Sequence, residues 1–390
     1  MMKKFLLLLL PLALMVGMAF PVFADGETEM KVTAGGADFT VDAKSAVLME
    51  ASTGKILFSQ NESAAYSPAS VTKIMTLLLV MEAVDSGRAS LDDKISVSEH
   101  AASMGGSQVF LKEGEVMTLE DLLKCTVIAS ANDAALALAE HICGSESAFV
   151  SRMNSRAGEL GMKSSHFENV TGLDDTTENH VTSALDIALM SRELLKHETI
   201  LKYSSLWQDS IRDGAFVLTN TNRLVRYYEG CNGLKTGSTA KAGYCVSATA
   251  KRGNMQLIAV VMGAESRDVR NAVARSLLDY GFGNFALYEN PEAKLEEVPV
   301  LGGTKDSVTA MNRAFSAVID KSHAGSVEKS YEIPENLKAP VEEGGVIGKI
   351  VYRVGDEIVG ESEIYAAEGV SEITFGEIFL RLIKNILIGE

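Results

Sequence analysis

Apolar residues fall in several distinct rhythms along this chain. Val71, Ile74, Met75, Leu78 and Leu79 repeat at helical spacing and the run stops at Asp85-Ser86-Gly87, which predicts a helix from 70 to about 84. Ahead of it, two short apolar runs at 46–49 and 56–58 flank the turn Ala51-Ser52-Thr53-Gly54 and predict a hairpin. Residues 118–161 return to helical spacing. Thr118 with Asp121 has the form of a capping box before Leu122, Leu123 and Val127, and this helix should end near Ser130. Asn132-Asp133 is expected to cap the next helix, which runs to Glu140-His141 and stops at Gly144.

A polar loop follows over 164–182, centred on Thr171-Gly172-Leu173-Asp174-Asp175, and Ser183 with Asp186 should start another helix. The pieces 217–218 and 224–225 read as strand-like. Segments 234–237, 244–250 and 256–262 read as three successive antiparallel strands, the last two joined at Arg252-Gly253-Asn254. A closing helix covers about 268–280. A sheet drawn from both ends of a region, with a helical block between, predicts an α/β domain with an α subdomain over 43–288.

Composition shifts around Glu289-Asn290-Pro291. Residues 289–371 are β-like, with turns at Gly302-Gly303, Glu343-Gly344-Gly345 and Val354-Gly355-Asp356; over 311–318 a helical turn or two is the alternative to strand. The segment 373–390 is different again. Phe375, Ile378, Phe379, Leu382, Ile383, Ile386 and Leu387 form one apolar stripe, opposite Glu377, Arg381, Lys384 and Asn385. Such a helix is too short and too charged to span a bilayer, and an interfacial, membrane-associated role is favoured over docking on the β domain.

At the other end, Lys3 and Lys4 precede the apolar stretch 5–20, and Val22-Phe23-Ala24 offers small residues for cleavage, so 1–24 reads as an export leader and 25–42 as a linker. An uncleaved anchor is the alternative, and both place the protein outside the cytoplasm, on the outer face of the cytoplasmic membrane. The 390 residues carry 36 basic and 52 acidic side chains, a net charge of −16, and loss of Lys3 and Lys4 with the leader makes it −18. This acidity argues against nucleic acid as a partner. Cys125, Cys143, Cys231 and Cys245 show no C-x-x-C spacing, and no H-E-x-x-H pattern occurs, so neither a metal nor a cofactor is expected. Buried free thiols are expected over a disulfide between Cys231 and Cys245.

The candidate chemistry lies in three short patterns. S-x-x-K occurs at Ser52, Ser70, Ser238 and Ser326, but only Ser70 sits at the head of a helix. There, unpaired backbone N–H groups carry partial positive charge, and spacing i,i+3 puts Lys73 within reach of the hydroxyl. Ser130-Ala131-Asn132 and the single Lys235-Thr236-Gly237 follow in order. A lysine becomes a base only when its pKa is lowered by burial or by a second cation, and Lys235 is the candidate for that cation.

This ordered trio resembles that of the penicillin-binding proteins and serine β-lactamases. With Met153-Asn154, Leu160-Gly161-Met162, Gly172-Leu173 ahead of His180, and Gly243-Tyr244-Cys245, the chain is similar to the low-molecular-mass D-alanyl-D-alanine carboxypeptidases from about 43 to 390. The resemblance implies a β-lactamase/transpeptidase-like catalytic domain, a β-rich C-terminal domain and a membrane-associated tail helix. It implies peptidoglycan stem peptides ending in D-Ala-D-Ala as substrate, and β-lactams as inhibitors. By the same resemblance Ser70 is the nucleophile, Lys73 its base, and Ser130 with Lys235 the route of the leaving-group proton. Asn132 holds a substrate amide, Thr236 and Arg270 bind the terminal carboxylate beside Gly237, and the N–H groups of Ser70 and Ser238 form the oxyanion hole. A serine β-lactamase is the competing reading, but neither Glu168 nor Glu178 lies in the E-x-x-L-N pattern that class A enzymes show. A penicillin-binding sensor or scaffold that acylates without turnover is the third.

Overall fold

The computed structural model describes residues 39–175 and 177–388. The leader expected over 1–24 and most of the 25–42 linker lie outside them. Five antiparallel strands form the first sheet in the order Ile56–Gln60, Ser45–Glu50, Met255–Ala264, Gly243–Arg252, Cys231–Thr239. Both faces of its central strands are buried. Val47, Met49, Ile258, Val260 and Met262 face a large core shared with the helical block. Their alternates Ala46, Leu48, Leu257, Ala259 and Val261 face the closing helix Arg267–Asn284 through Ala274, Leu277 and Leu278. The period-2 alternation thus feeds two cores at once, which is why these strands are apolar throughout.

The helical block carries the remaining walls of the site. Helix Leu119–Ile128 starts as expected, with Thr118 Oγ1 accepting the Asp121 N–H, and Ser183 caps Ala184–Leu194 through the Asp186 N–H. Helix Asn132–Cys143 ends on Gly144 in the left-handed conformation. Its start differs from expectation: Ala131 is the cap residue, and no side chain accepts there. Asn132 is turned inward instead, for reasons given below.

One other expectation is corrected. Residues 224–225 belong to a short helix, Leu224–Tyr227. Asn222 causes the turn, since its Oδ1 accepts the Leu224 N–H while its Nδ2 reaches the Gly233 carbonyl at 2.7 Å. Over 311–318 the β-like reading holds and its helical alternative does not: Met311 pairs with Tyr365, and Phe315 starts a strand, Phe315–Asp320, that pairs with Phe285–Asn290. The Asn312 side chain bridges the Pro291 and Arg313 carbonyls across this break, and Phe315 stacks on Tyr352 with ring centroids 4.1 Å apart.

All four cysteines are free thiols. Cys231 lies opposite Ala250 and Cys245 opposite Gly237, so the two are separated by most of a strand and cannot meet.

The second domain is entered through Phe285–Asn290 and is built on a six-stranded sheet, in the order Val327–Glu332, Val346–Val354, Glu357–Ala366, Ser307–Asn312, Ala293–Leu301, Leu337–Lys338. The tail helix Phe375–Ile388 follows, capped by Thr374, whose N–H reaches Glu377 Oε2 at 2.7 Å. It touches the β domain with its polar side, where Arg381 donates to Asp306 and to the Thr304 carbonyl. The apolar stripe is left in the open, with Phe375 83% and Ile386 79% exposed. Among the described residues no helix is long and apolar enough to cross a membrane.

Candidate active site

Ser70 lies in a 3-10 turn, Ala69–Thr72, that runs directly into the α-helix Lys73–Asp85. The turn begins with strain, since Ala69 has φ of 48°. Gly172 makes that conformation possible: a Cβ on it would stand 1.8 Å from the Ala69 carbonyl oxygen. Asn169 holds the Gly172 loop in place, its Oδ1 accepting the N–H groups of Thr171 and Gly172. A second strut is His180. Its Nδ1 accepts the Glu168 N–H, so the proton sits on Nε2 and is donated to Thr72 Oγ1 at 2.8 Å. Burial lowers this imidazole to about 4 and keeps it neutral.

Lys73 is fully buried, and its Nζ meets three oxygens: Ser70 Oγ at 2.9 Å, Asn132 Oδ1 at 2.6 Å and the Thr171 carbonyl at 3.0 Å. This explains the orientation of Asn132. Its Oδ1 serves Lys73 and its Nδ2 donates to the Gly105 carbonyl at 2.6 Å, so neither atom is available for capping. Burial, then the Lys235 charge, hold the Lys73 ammonium well below its ordinary range, while Asp133 pulls the other way. Lys73 Nζ donates to all three oxygens, and once it loses the proton aimed at Ser70 Oγ, the bonds to Asn132 and Thr171 leave its lone pair facing that hydroxyl.

Ser130 also has a strained backbone, with φ of 63°. This aims its Oγ at Lys235 Nζ, 2.8 Å away; that nitrogen also donates to the Thr236 carbonyl at 2.9 Å. Burial, then Arg270, lower Lys235 to about 7. The edge strand carrying Lys235, Thr236, Gly237 and Ser238 passes directly over the Ser70 turn. A Cβ at Gly237 would lie 2.8 Å from Ser70 N, so only glycine allows this approach.

These groups open into a cavity of about 420 Å³, lined by Ser70, Ser130, Thr236, Gly237, Ser238 and Arg270 among others. Thr236 Oγ1 donates to Thr221 Oγ1 at 2.8 Å. Arg270 is buried at the first turn of the closing helix and is held by Asn271 Oδ1, at 3.1 Å from Nε and 2.9 Å from Nη2. Burial lowers it to about 10. Among the described residues no carboxylate lines this cavity.

All nine residues singled out from the sequence therefore converge. Of the other S-x-x-K serines Ser238 joins them through the K-T-G strand, but two do not: Ser52 donates to Glu50 in the hairpin turn, and Ser326 donates to the His323 carbonyl on the surface. Glu168 Oε2 accepts the Asn179 N–H, and neither it nor Glu178 reaches the cavity wall. Sequence reasoning missed the carbonyls of Thr171 and Gly105, the Thr221 hydroxyl, Trp207, and two further arginines, Arg223 and Arg267. Backbone acceptors leave no signature in a sequence. The arginines lie in no motif.

Comparison with known proteins agrees with this geometry. Residues 30–266 match the family described as D-alanyl-D-alanine carboxypeptidase, and 282–372 match that described as penicillin-binding protein 5, C-terminal domain. The chain belongs to the D-alanyl-D-alanine carboxypeptidase family. Its relatives include the D-alanyl-D-alanine carboxypeptidase DacF of Bacillus subtilis, 41% identical over 93% of this chain and 94% of that protein. Penicillin-binding protein 5 of Haemophilus influenzae has the same fold, with a TM-score of 0.77 and 32% identity over 87% of this chain and 100% of that one. Penicillin-binding protein D2 of Listeria monocytogenes in its ampicillin-bound form aligns over 63% of this chain and 100% of that chain, with 31% identity and a TM-score of 0.58. As a D-alanyl-D-alanine carboxypeptidase of the penicillin-binding type, the chain is a serine peptidase, a hydrolase of cell-wall peptide.

Proposed function

We propose that Ser70 is the nucleophile that removes the terminal D-alanine from a stem peptide through an acyl-enzyme. The single observation carrying this assignment is the approach of Lys73 Nζ to Ser70 Oγ at 2.9 Å, in a buried setting where, among the described residues, no carboxylate is bonded to the lysine. Neutral Lys73 takes the hydroxyl proton as Oγ bonds to the penultimate carbonyl carbon. The oxyanion forms against the N–H groups of Ser70 and Ser238, a contribution usually larger than any other in acyl transfer. The C–N bond then breaks, and the leaving amine takes a proton delivered through Ser130 and Lys235. Water cleaves the resulting ester, releasing the shortened peptide and restoring Ser70.

Asn132 orients the substrate amide, while Thr236 and Arg270 receive the terminal carboxylate. A buried guanidinium on a cavity wall without acids supports that last role. A β-lactam, with its own carboxylate beside a strained amide, fits the same groups and is expected to acylate Ser70 stably. Export by the leader over 1–24 and attachment to a membrane surface through Phe375–Ile388 complete the proposal.

Two measurements test it. Mass spectrometry after incubation with penicillin should place the adduct on Ser70, and an adduct on Ser52, Ser238 or Ser326 overturns the assignment. Arg270→Ala should penalise peptides with a free C-terminal carboxylate far more than their amides. An unchanged ratio removes Arg270 from carboxylate binding.

A further inference from the structure

The cavity holds more positive charge than one terminal carboxylate requires. Arg270 lies buried on its wall, while Arg223 and Arg267 line the same cavity from exposed positions. Among the described residues, neither exposed guanidinium has a hydrogen-bond or ion-pair partner in the structure, although acidic side chains outnumber basic ones by 52 to 36. Arg267 and Arg223 both bear on Arg270, helping to lower it. Like charges gathered without a counter-ion repel one another, and an incoming anion relieves that repulsion.

The position of these side chains gives the anion a place. Arg267 and Arg270 are one helical turn apart on the closing helix, so both face the same side of the cleft, the side where Thr236 stands. Arg223 also lines the adjoining trough, which contains Tyr227, Asp268, Asn271 and Arg275. The cleft thus continues outward past the carboxylate position instead of closing there. Asp268 is the one carboxylate among these lining residues, and it faces the trough, not the cleft.

We propose that Arg223 and Arg267 form an outer anion subsite that selects leaving residues bearing a second carboxylate, so that terminal D-residues with acidic side chains are released as well as D-alanine. The inference rests on the functional reading above, because it assigns the leaving residue to the Arg270 end of the cleft. The chemistry is the same acyl transfer: one amide bond breaks, and the departing amine belongs to an acidic residue instead of alanine.

The test uses the full chain with three N-acetylated stem peptides, ending in D-Ala-D-Ala, D-Ala-D-Glu and D-Ala-D-Gln. The D-Glu and D-Gln peptides differ only in charge at the same size. The wild type should show a larger kcat/KM for D-Glu than for D-Gln, by about tenfold at low salt for two exposed contacts, with the gap narrowing as salt is raised. Arg223→Gln and Arg267→Gln should each lower that ratio, and the double variant should bring it close to one. A wild-type ratio of one or less overturns the subsite, and so does a ratio unchanged in the double variant. Failure to release D-alanine from the first peptide would instead count against the underlying functional reading. Should the variants not fold, the salt dependence of the wild-type ratio still decides.

Discussion

Lys235 Nζ lies 2.8 Å from Ser130 Oγ, which ties the third motif to the second through one buried contact. The same lysine acts on the first motif at longer range, as a charge that lowers Lys73 second only to burial. The sign of its removal follows. Without the Lys235 cation, protonated Lys73 is repelled less, its pKa rises, and the base is lost at a higher pH.

Lys235→Gln should therefore move the acid limb of the acylation rate to higher pH, in addition to lowering the plateau. The check is the rate of penicillin acylation from pH 5 to 9 in both proteins. A lowered plateau with an unmoved limb would mean that Lys235 does not tune the base.

Gly172→Ala should destabilise the protein by more than about 3 kcal/mol and strongly reduce acylation, because strain at a positive φ is joined by a backbone clash. Gly144→Ala separates the two causes. Gly144 has φ of 80°, close to the 81° of Gly172, but nothing lies within 4 Å of its Cβ position. Chemical denaturation should show a cost near 1 kcal/mol at Gly144. Equal losses at the two positions would rule out the Ala69 contact as the cause.

His180 predicts an acid-sensitive fold. Its folded pKa of about 4 lies below the ordinary 6.5, so the unfolded chain binds the proton more readily. The stabilising contribution is complete above pH 6.5 and drains away as pH falls toward 4, by about 3 kcal/mol in all. His180→Gln keeps a donor for Thr72 but does not titrate. Its melting temperature should fall less steeply over that interval than the wild type's, and parallel slopes would contradict the assignment.

The tail offers a test that leaves the catalytic domain untouched. Deleting 373–390 should release the protein from liposomes, and Phe379→Glu should come close to the same result. Phe379 is 55% exposed, so the substitution should leave the melting temperature in place. Flotation and a melting curve on the same samples distinguish an anchor from a structural strut. Unchanged flotation would refute the anchor.

Much of this was legible because the informative residues carry periodicity or sit in ordered motifs. The sheet strands alternate between two cores, so their apolar runs are unmistakable; Ser70 and Ser130 each stand at an element boundary that local rules locate, and Lys235 sits in mid-strand in a K-T-G that occurs once. Where no period exists the reading failed. Two apolar residues at 224–225 suit a strand or a helical turn equally, and the Asn222 side chain decided for the turn. Asn132 has the chemistry of a cap, but the buried lysine claimed its oxygen. The Gly172–Ala69 contact spans about a hundred residues of sequence, and no local pattern reports such an approach.

The pairing of Ser45–Glu50 with Met255–Ala264 has a consequence for how the enzyme comes into being. Val47 meets Val260 across more than two hundred residues, and the Ser70 turn with its helix lies inside that span. Closing so long a loop comes late and is slow, because its entropy is lost before the sheet contacts repay it. Until Met255–Ala264 docks on Ser45–Glu50, the strand pair Cys231–Thr239 and Gly243–Arg252 that bears Lys235 is not tied to the rest of the sheet and is not held over Ser70. A partly folded chain thus lacks the assembled site, and under the proposed mechanism covalent labelling of Ser70 by a β-lactam becomes a clock for completion of the whole catalytic domain.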